Sequence, residues 1–429
     1  MTRRASLVLG LFLLTLTLEA APRRRAAASP GVGPDEVTPH GWLVANARVL
    51  NTVDLTPDTS DLFPLRAMIG SSEVVGVGDI THGTHEVYTV KLRVIDYLVR
   101  EMGFDVLGWE APFPIVERIN AYIQGEGGDL RALLGEMYPL TYFFWDAEEI
   151  YDVIEWMREY NAHRGTRPPV QIVGFDVTQP DAASNAVVAY LRTVDPAAAV
   201  TAEESYACAR VSSLSIDESC KVIAAGILET LESREAELTA LSSAKAFAEA
   251  LHQARVVVQS RRIFGTERDQ AMAENVLSLR HRRGVARRMI LWAHSAHISE
   301  APIPIFSDRP MGRVLAETLA EDYFTITTMT AAGSYLVWAD PTRTRQFTPV
   351  KKILPALPPT AFEAAIRQRG EPYLLIPFRR VLPGWLTAPA QFHLAPAAGD
   401  LSSTVGVLPA NYDAAIFIDT TTAMHPLTH

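Results

Sequence analysis

From Ser72 onward, short β-branched and apolar runs alternate with amphipathic stretches, a pattern that predicts strands and helices in turn. Strands are predicted at 73–77, 105–109, 170–175, 289–292, 324–329, 373–377 and 415–418. The second is short and bounded by Gly103 and Pro112; the third is nearly continuous in apolar residues, as a strand covered on both faces should be. Helices are predicted at 86–102, 115–124 and 146–161. Strand-helix-strand alternation implies a parallel sheet with right-handed crossovers. Residues 181–287 are rich in Ala, Glu, Leu and Arg and contain no convincing strand, so they read as a helical insertion, interrupted by a capping-type sequence at 213–217. Beyond Pro341 prolines and turns increase, and the strands there are expected at the sheet edge. The expected fold is therefore α/β: an open, mostly parallel sheet with helices on both faces and a helical insertion. Its parts are residues 1–30, 31–180, 181–287 and 288–429, the second and fourth forming the α/β domain.

Composition narrows the class. The chain has 429 residues, 48% hydrophobic and 21% charged, an ordinary globular balance that argues against disorder and coiled coil. Its net charge of −10 disfavours nucleic acid as a partner, since such binding needs a basic face. Arg3 and Arg4 precede an uncharged run from Ala5 to Leu18, shorter than the ~18–20 residues a spanning helix needs, and small residues follow. Residues 1–30 thus read as an export signal and basic linker, which implies a periplasmic or secreted protein with no stable membrane span after cleavage. The alternative is an uncleaved anchor. Cys208 and Cys220 either bridge and pin a local helical hairpin or remain two buried thiols.

The chemistry concentrates where strands end. Asp79 and His82 follow the first predicted strand, Glu110 ends the second, Asp176 ends the third, and His294 and His297 follow the fourth. In an open parallel sheet, ligands bind beyond the carboxyl ends of the strands. Buried carboxylates there must be paired, so these groups are expected to meet one another. Of 11 histidines, four form two His-x-x-His pairs, His82/His85 and His294/His297. Gly78 to Glu86 reads as a strand-to-helix turn, with Gly83 permitting the turn and Thr84 capping the helix. It lacks the Gly-Lys-Ser/Thr of a P-loop, and Thr89 stands where a zincin needs its second His. No Gly-x-Ser-x-Gly occurs, which disfavours a serine hydrolase, Ser295 included. Lys91, on the following helix, is either a site group or a solvated surface lysine. Trp145 with Glu148 and Glu149, and Arg268 with Asp269, read as helix-surface groups.

Gly78-Asp79-x-Thr81-His82-Gly83-Thr84-His85-Glu86, Gly103-Phe104, Glu110, Trp156-x-Arg158-x-Tyr160-Asn161, Gly174-Phe175-Asp176, Ala293 to Ile298 and Pro310-Met311-Gly312 together resemble the erythromycin esterase family over about residues 51–334. The resemblance implies an α/β hydrolytic enzyme with a helical insertion, of a family whose named members open macrolide lactones. It implies that His82 is the base activating water and that Glu110, His294 and His297 line the same cleft. Two positions depart from the family pattern: Asp79 stands for a Glu, and Lys91 for an Arg able to make a planar two-point contact.

The mechanism expected is water attack on an ester or lactone without a covalent intermediate. His82 takes the water proton, Asp79 or Glu110 holds its other nitrogen, and His294 or His297 donates to the oxyanion or leaving alkoxide. His85, Lys91 and Asp176 are expected to contact substrate. No cofactor is required, but two alternatives stand: a divalent metal held by the two His pairs, or an exported ligand-binding homologue without turnover.

Overall fold

The computed structural model describes residues 38–137, 143–210, 217–260, 265–282, 288–303, 306–339, 348–394 and 402–428. The expected export signal, most of the 213–217 break and the insertion boundary at 287 lie outside them.

The strands are β1 Arg48–Val49, β2 Val74–Asp79, β3 Val106–Pro112, β4 Gln171–Asp176, β5 Met289–His294, β6 Tyr323–Ala339, β7 Thr348–Ile353, β8 Tyr373–Pro377, β9 Ala390–Leu394, β10 Ser402–Gly406 and β11 Ala414–Thr421. Nine form one sheet in the order β1-β8-β11-β6-β2-β5-β3-β4, with β7 joined to the far half of β6. The five central pairings, which join β11, β6, β2, β5, β3 and β4 in that order, are all parallel, while β1, β7 and β8 join antiparallel. The C-terminal strands were expected at the edge. Instead β11 lies inside the sheet, between β8 and β6, because its run Ala414 to Ile418 is wholly apolar and buried on both faces.

Alternate residues of each strand enter different cores. Val75 and Val77 face one side, against the helices His85–Met102, Phe113–Ile123 and Glu148–His163; Val74 faces the other, against Thr266–Arg282 and Met311–Leu319. The sheet is thus covered on both sides. The insertion has a third core of its own between Ala183 and Val257, stapled by a Cys208–Cys220 disulfide. Its last helix, Thr266–Arg282, departs from that core: Met272, Ala273, Val276 and Leu279 pack under the sheet instead.

The sheet order matters for the site. β2, β5, β3 and β4 are neighbours, and Asp79 sits in register with His294. Asp79, His294, Glu110 and Asp176 therefore stand side by side along one sheet edge, at the carboxyl ends of four adjacent strands.

Candidate active site

Asp79 is fully buried at the end of β2, and its two oxygens have different partners. Oδ2 lies 2.6 Å from His82 Nδ1, while Oδ1 accepts from the ammonium of Lys91. Lys91 is also fully buried, with Nζ 4.2 Å from the centre of the Trp292 ring. It was expected at the substrate; its lack of exposure puts it beneath the site, against Asp79. Burial lowers the Lys91 pKa to about 8 against the pull of Asp79. Burial also disfavours the Asp79 carboxylate, but Lys91 and His82 outweigh it and hold that carboxyl below its ordinary range.

The His82 ring is fixed from three directions. Phe144 stacks on it at 4.3 Å between centroids and 7°, and Trp145 and His294 meet it at 5.0 and 5.2 Å. Trp145 was read as a helix-surface group; it is fully buried, and its Nε1–H donates to the Glu110 carbonyl at 3.0 Å. A short 3-10 turn at Phe143–Trp145 places both rings. With Nδ1 against Asp79, the Nε2 of His82 has no hydrogen-bond partner among the described residues.

Glu110 is aimed by an irregularity in β3. Register between β3 and β4 shifts between Trp109 and Pro112, which turns the carboxylate toward β5. Gly174 makes room for this: a Cβ there would lie 2.5 Å from the Ala111 carbonyl oxygen. Glu110 Oε2 accepts from the backbone N–H of His294 at 2.8 Å, so Glu110 does not hold His82; Asp79 does. Glu110 Oε1 meets Arg268 Nη2 at 2.9 Å and His297 Nε2 at 3.3 Å.

Arg268 and Asp269 are the residues that sequence reasoning placed wrongly on the surface. Both are buried, delivered by the first turn of Thr266–Arg282. Arg268 grips Asp176 with Nε at 2.9 Å and Nη2 at 2.5 Å, a two-point contact, and also reaches Glu110. Asp176, expected at the substrate, is thus engaged by Arg268. Asp269 Oδ1 meets His297 Nδ1 at 2.8 Å and accepts the Met311 N–H at 2.9 Å.

The two histidines of the second pair differ in charge. His294 Nδ1 accepts the Ala296 N–H at 3.1 Å, so its proton is on Nε2, which donates to the Ile80 carbonyl at 3.1 Å. Burial and the neighbouring His82 push its pKa down to about 3, and it is neutral. Burial also opposes charge on His297, but the carboxylates of Asp269 and Glu110 outweigh it and raise its pKa to about 10. In that form Nε2–H donates to Glu110; in the neutral form the same nitrogen would accept from Arg268 Nη1, 3.0 Å away. Burial notwithstanding, His297, Arg268 and His82 hold Glu110 well below the carboxylate range.

The two His-x-x-His pairs do not form one four-imidazole set. His82, His294 and His297 run in a row, the last two with centroids 6.3 Å apart. His85 turns away and bonds Glu149 Oε1 at 2.7 Å. Glu149 was also read as a surface group and is buried; Glu148, on the exposed side, pairs with Arg131. Among Glu110, Asp176 and His297, the guanidinium of Arg268 supplies positive charge. Ser295 is buried and bonds Thr327 Oγ1 at 2.8 Å, remote from a nucleophile's setting. Thr84 makes no side-chain cap; the Thr422 carbonyl accepts the His85 N–H at 2.9 Å instead.

Fold and site together define an α/β protein with a carboxylate-backed histidine at the carboxyl ends of its parallel strands. The chain belongs to the erythromycin esterase family, whose profile matches residues 99–421. It is 25% identical over 307 residues to an Escherichia coli protein named erythromycin esterase type II, covering 62% of this chain and 71% of that one. Its fold is similar to that of a Bacillus cereus protein, with TM-score 0.77 and 24% identity over 91% of this chain and 98% of the other. A mutant of the erythromycin esterase EreC in its open conformation also superposes, with TM-score 0.70 and 18% identity over 87% and 98% of the two chains.

Proposed function

We propose that the chain is an exported hydrolase that opens a carboxylic ester or lactone, a macrolide ring being the first candidate, by attack of a water molecule. His82 Nε2 takes the proton from that water. Asp79 fixes the ring through Nδ1 and stabilises the imidazolium as it forms, the part a carboxylate plays in a catalytic triad. Lys91 keeps Asp79 ionised. His297, carrying a proton at neutral pH, turns its Nε2–H from Glu110 to the leaving alkoxide; His294, being neutral, is not the donor. No covalent intermediate is needed, since water is the nucleophile, and the Ser295 hydroxyl is bonded to Thr327.

The observation that carries this reading is the buried relay from Lys91 through Asp79 to His82, which leaves one imidazole nitrogen for water. The macrolide substrate rests on the name of the Escherichia coli relative, and export on the Arg3 to Ala21 pattern with the disulfide.

The test is incubation of the purified protein with a panel of esters and lactones, erythromycin included, read by mass spectrometry for addition of one water. Turnover is expected, with kcat/KM lowered about 10²–10⁴-fold in a folded His82→Ala variant. Full turnover by that variant would remove His82 from its role. Tight binding with no product would make the chain a ligand-binding homologue.

A further inference from the structure

We infer that His85, Glu149 and His425 form a binding site for one divalent transition-metal ion, zinc fitting best, which fastens the C-terminal segment to the wall behind His82. His85 Nδ1 and His425 Nδ1 lie 2.7 and 2.8 Å from the same oxygen, Glu149 Oε1, and all three atoms fall within 4.8 Å of one another. The two imidazole rings meet edge to face, with centroids 5.0 Å apart. Two imidazoles and one carboxylate are a zinc ligand set, with a fourth position left for water. Tetrahedral bonds of usual length put neighbouring ligand atoms about 3.3 Å apart. Moving the donors by about an ångström reaches that geometry.

Burial and charge suit an ion arriving from solvent. The Glu149 side chain is 5% exposed, that of His85 35% and that of His425 62%. The carboxylate is thus fixed at the base, with the imidazoles at the rim. The surrounding charge is negative. Glu149, Glu86 and Asp54 all act on His85 through their negative charge. Glu148 and Glu149 act likewise on Asp152. A divalent cation would relieve this crowding of carboxylates.

The three ligands come from three segments that converge on the active site. His85 opens the helix His85–Met102, three residues beyond His82. Glu149 follows Phe144 and Trp145, the rings packed on His82. His425 belongs to a C-terminal segment already tied to both: its carbonyl accepts the Glu148 N–H at 2.8 Å, the Leu427 N–H donates to Asp146 at 3.1 Å, and Glu86 accepts from Thr421 and Thr422. An ion at this point closes the triangle. The site does not depend on the hydrolytic reading, since none of its ligands touches Asp79 or Glu110.

The experiment is zinc titration by calorimetry on full-length, tag-free protein stripped with a chelator, with cobalt(II) absorption as a second readout of ligand geometry. One equivalent is expected in the wild type and in His82→Ala. In His425→Ala, altered at an exposed position that the fold tolerates, affinity is expected to drop at least tenfold, with loss of the tetrahedral cobalt bands. Zinc should raise Tm in the wild type but not in His425→Ala. Absence of binding at millimolar zinc, binding unchanged in His425→Ala, or binding lost in His82→Ala would each overturn the site.

Discussion

Lys91 places its ammonium against Asp79 with neither side chain exposed to solvent, so the residue that orients His82 is itself held by a buried ion pair. Breaking such a pair from one side strands the other charge, at a cost of about 3–5 kcal/mol. Lys91→Met should lose stability on that scale in denaturant unfolding, and activity with it, because an Asp79 that protonates more readily no longer stabilises an imidazolium. Removing both charges in Lys91→Met/Asp79→Asn should recover most of the stability but not the activity. If the single and double variants are equally unstable, packing rather than charge explains Lys91.

Arg268 and His297 together answer for three carboxylates. Glu110, Asp176 and Asp269 stand around the two, so removal of Arg268 leaves more negative charge in the interior than His297 can offset. Arg268→Met should unfold at markedly lower denaturant than the wild type, by about 3–5 kcal/mol. Arg268→Lys should rescue little, since a point-like ammonium cannot reproduce the two-point contact with Asp176. Asp176→Asn in the Arg268→Met background should restore part of the loss. Full rescue by Lys would show that net charge alone is required.

These two cations mark how far the sequence could be read. The strand ends were legible because apolar runs stop abruptly at Asp79, Glu110, Asp176 and His294, and adjacency in a parallel sheet brings such ends together. Arg268 was not, because Thr-Glu-Arg-Asp-Gln at the head of a polar helix has the look of a solvated face. The charge sum gave a usable signal: buried carboxylates at adjacent strand ends require a cation, and the helix leading into β5 was a place to seek one. Trp145 was hidden by its short turn, which has no periodicity to show an inward face. The full length of β6 escaped for another reason: beyond Gly333 it changes partner from β11 to β7, so its apolar pattern changes partway. His425 lay in a C-terminal tail where nothing in the local pattern shows that the chain returns to the site.

His297 makes stability depend on pH with a definite sign. Its folded pKa, raised from 6.5 to about 10, means that the folded state keeps a proton the unfolded chain gives up. Its contribution is therefore complete below about 6.5 and is lost as pH rises toward 10. Lys91 works in the opposite direction, since its pKa falls from 10.5 to about 8 and its share of stability grows across that interval. Subtracting the unfolding free energy of His297→Gln from that of the wild type cancels the Lys91 part. The difference should be largest near neutral pH and shrink steadily toward pH ~10. A difference that stays level would mean that His297 is neutral in the fold.

The disulfide lies in a part of the molecule that the site uses only indirectly. Cys208, in the Tyr206–Arg210 turn, and Cys220, in the first turn of Glu218–Ser233, are 12 positions apart and serve the insertion's own core. Closing a loop of this size stabilises by about 3 kcal/mol through the unfolded chain. Arg268 and Asp269 stand on the one insertion helix that packs under the sheet, so loosening the rest should spare the catalytic groups. Reduction, or Cys208→Ser with Cys220→Ser, should speed proteolysis within residues 183–257 while ester turnover is retained. The same chain recovered from its native compartment should carry the bridge and, by mass spectrometry, begin between about Ala21 and Val32. Protease resistance unaltered by reduction would show that the insertion is held by its packing alone, and an intact Met1 would point to an anchor instead of a cleaved signal.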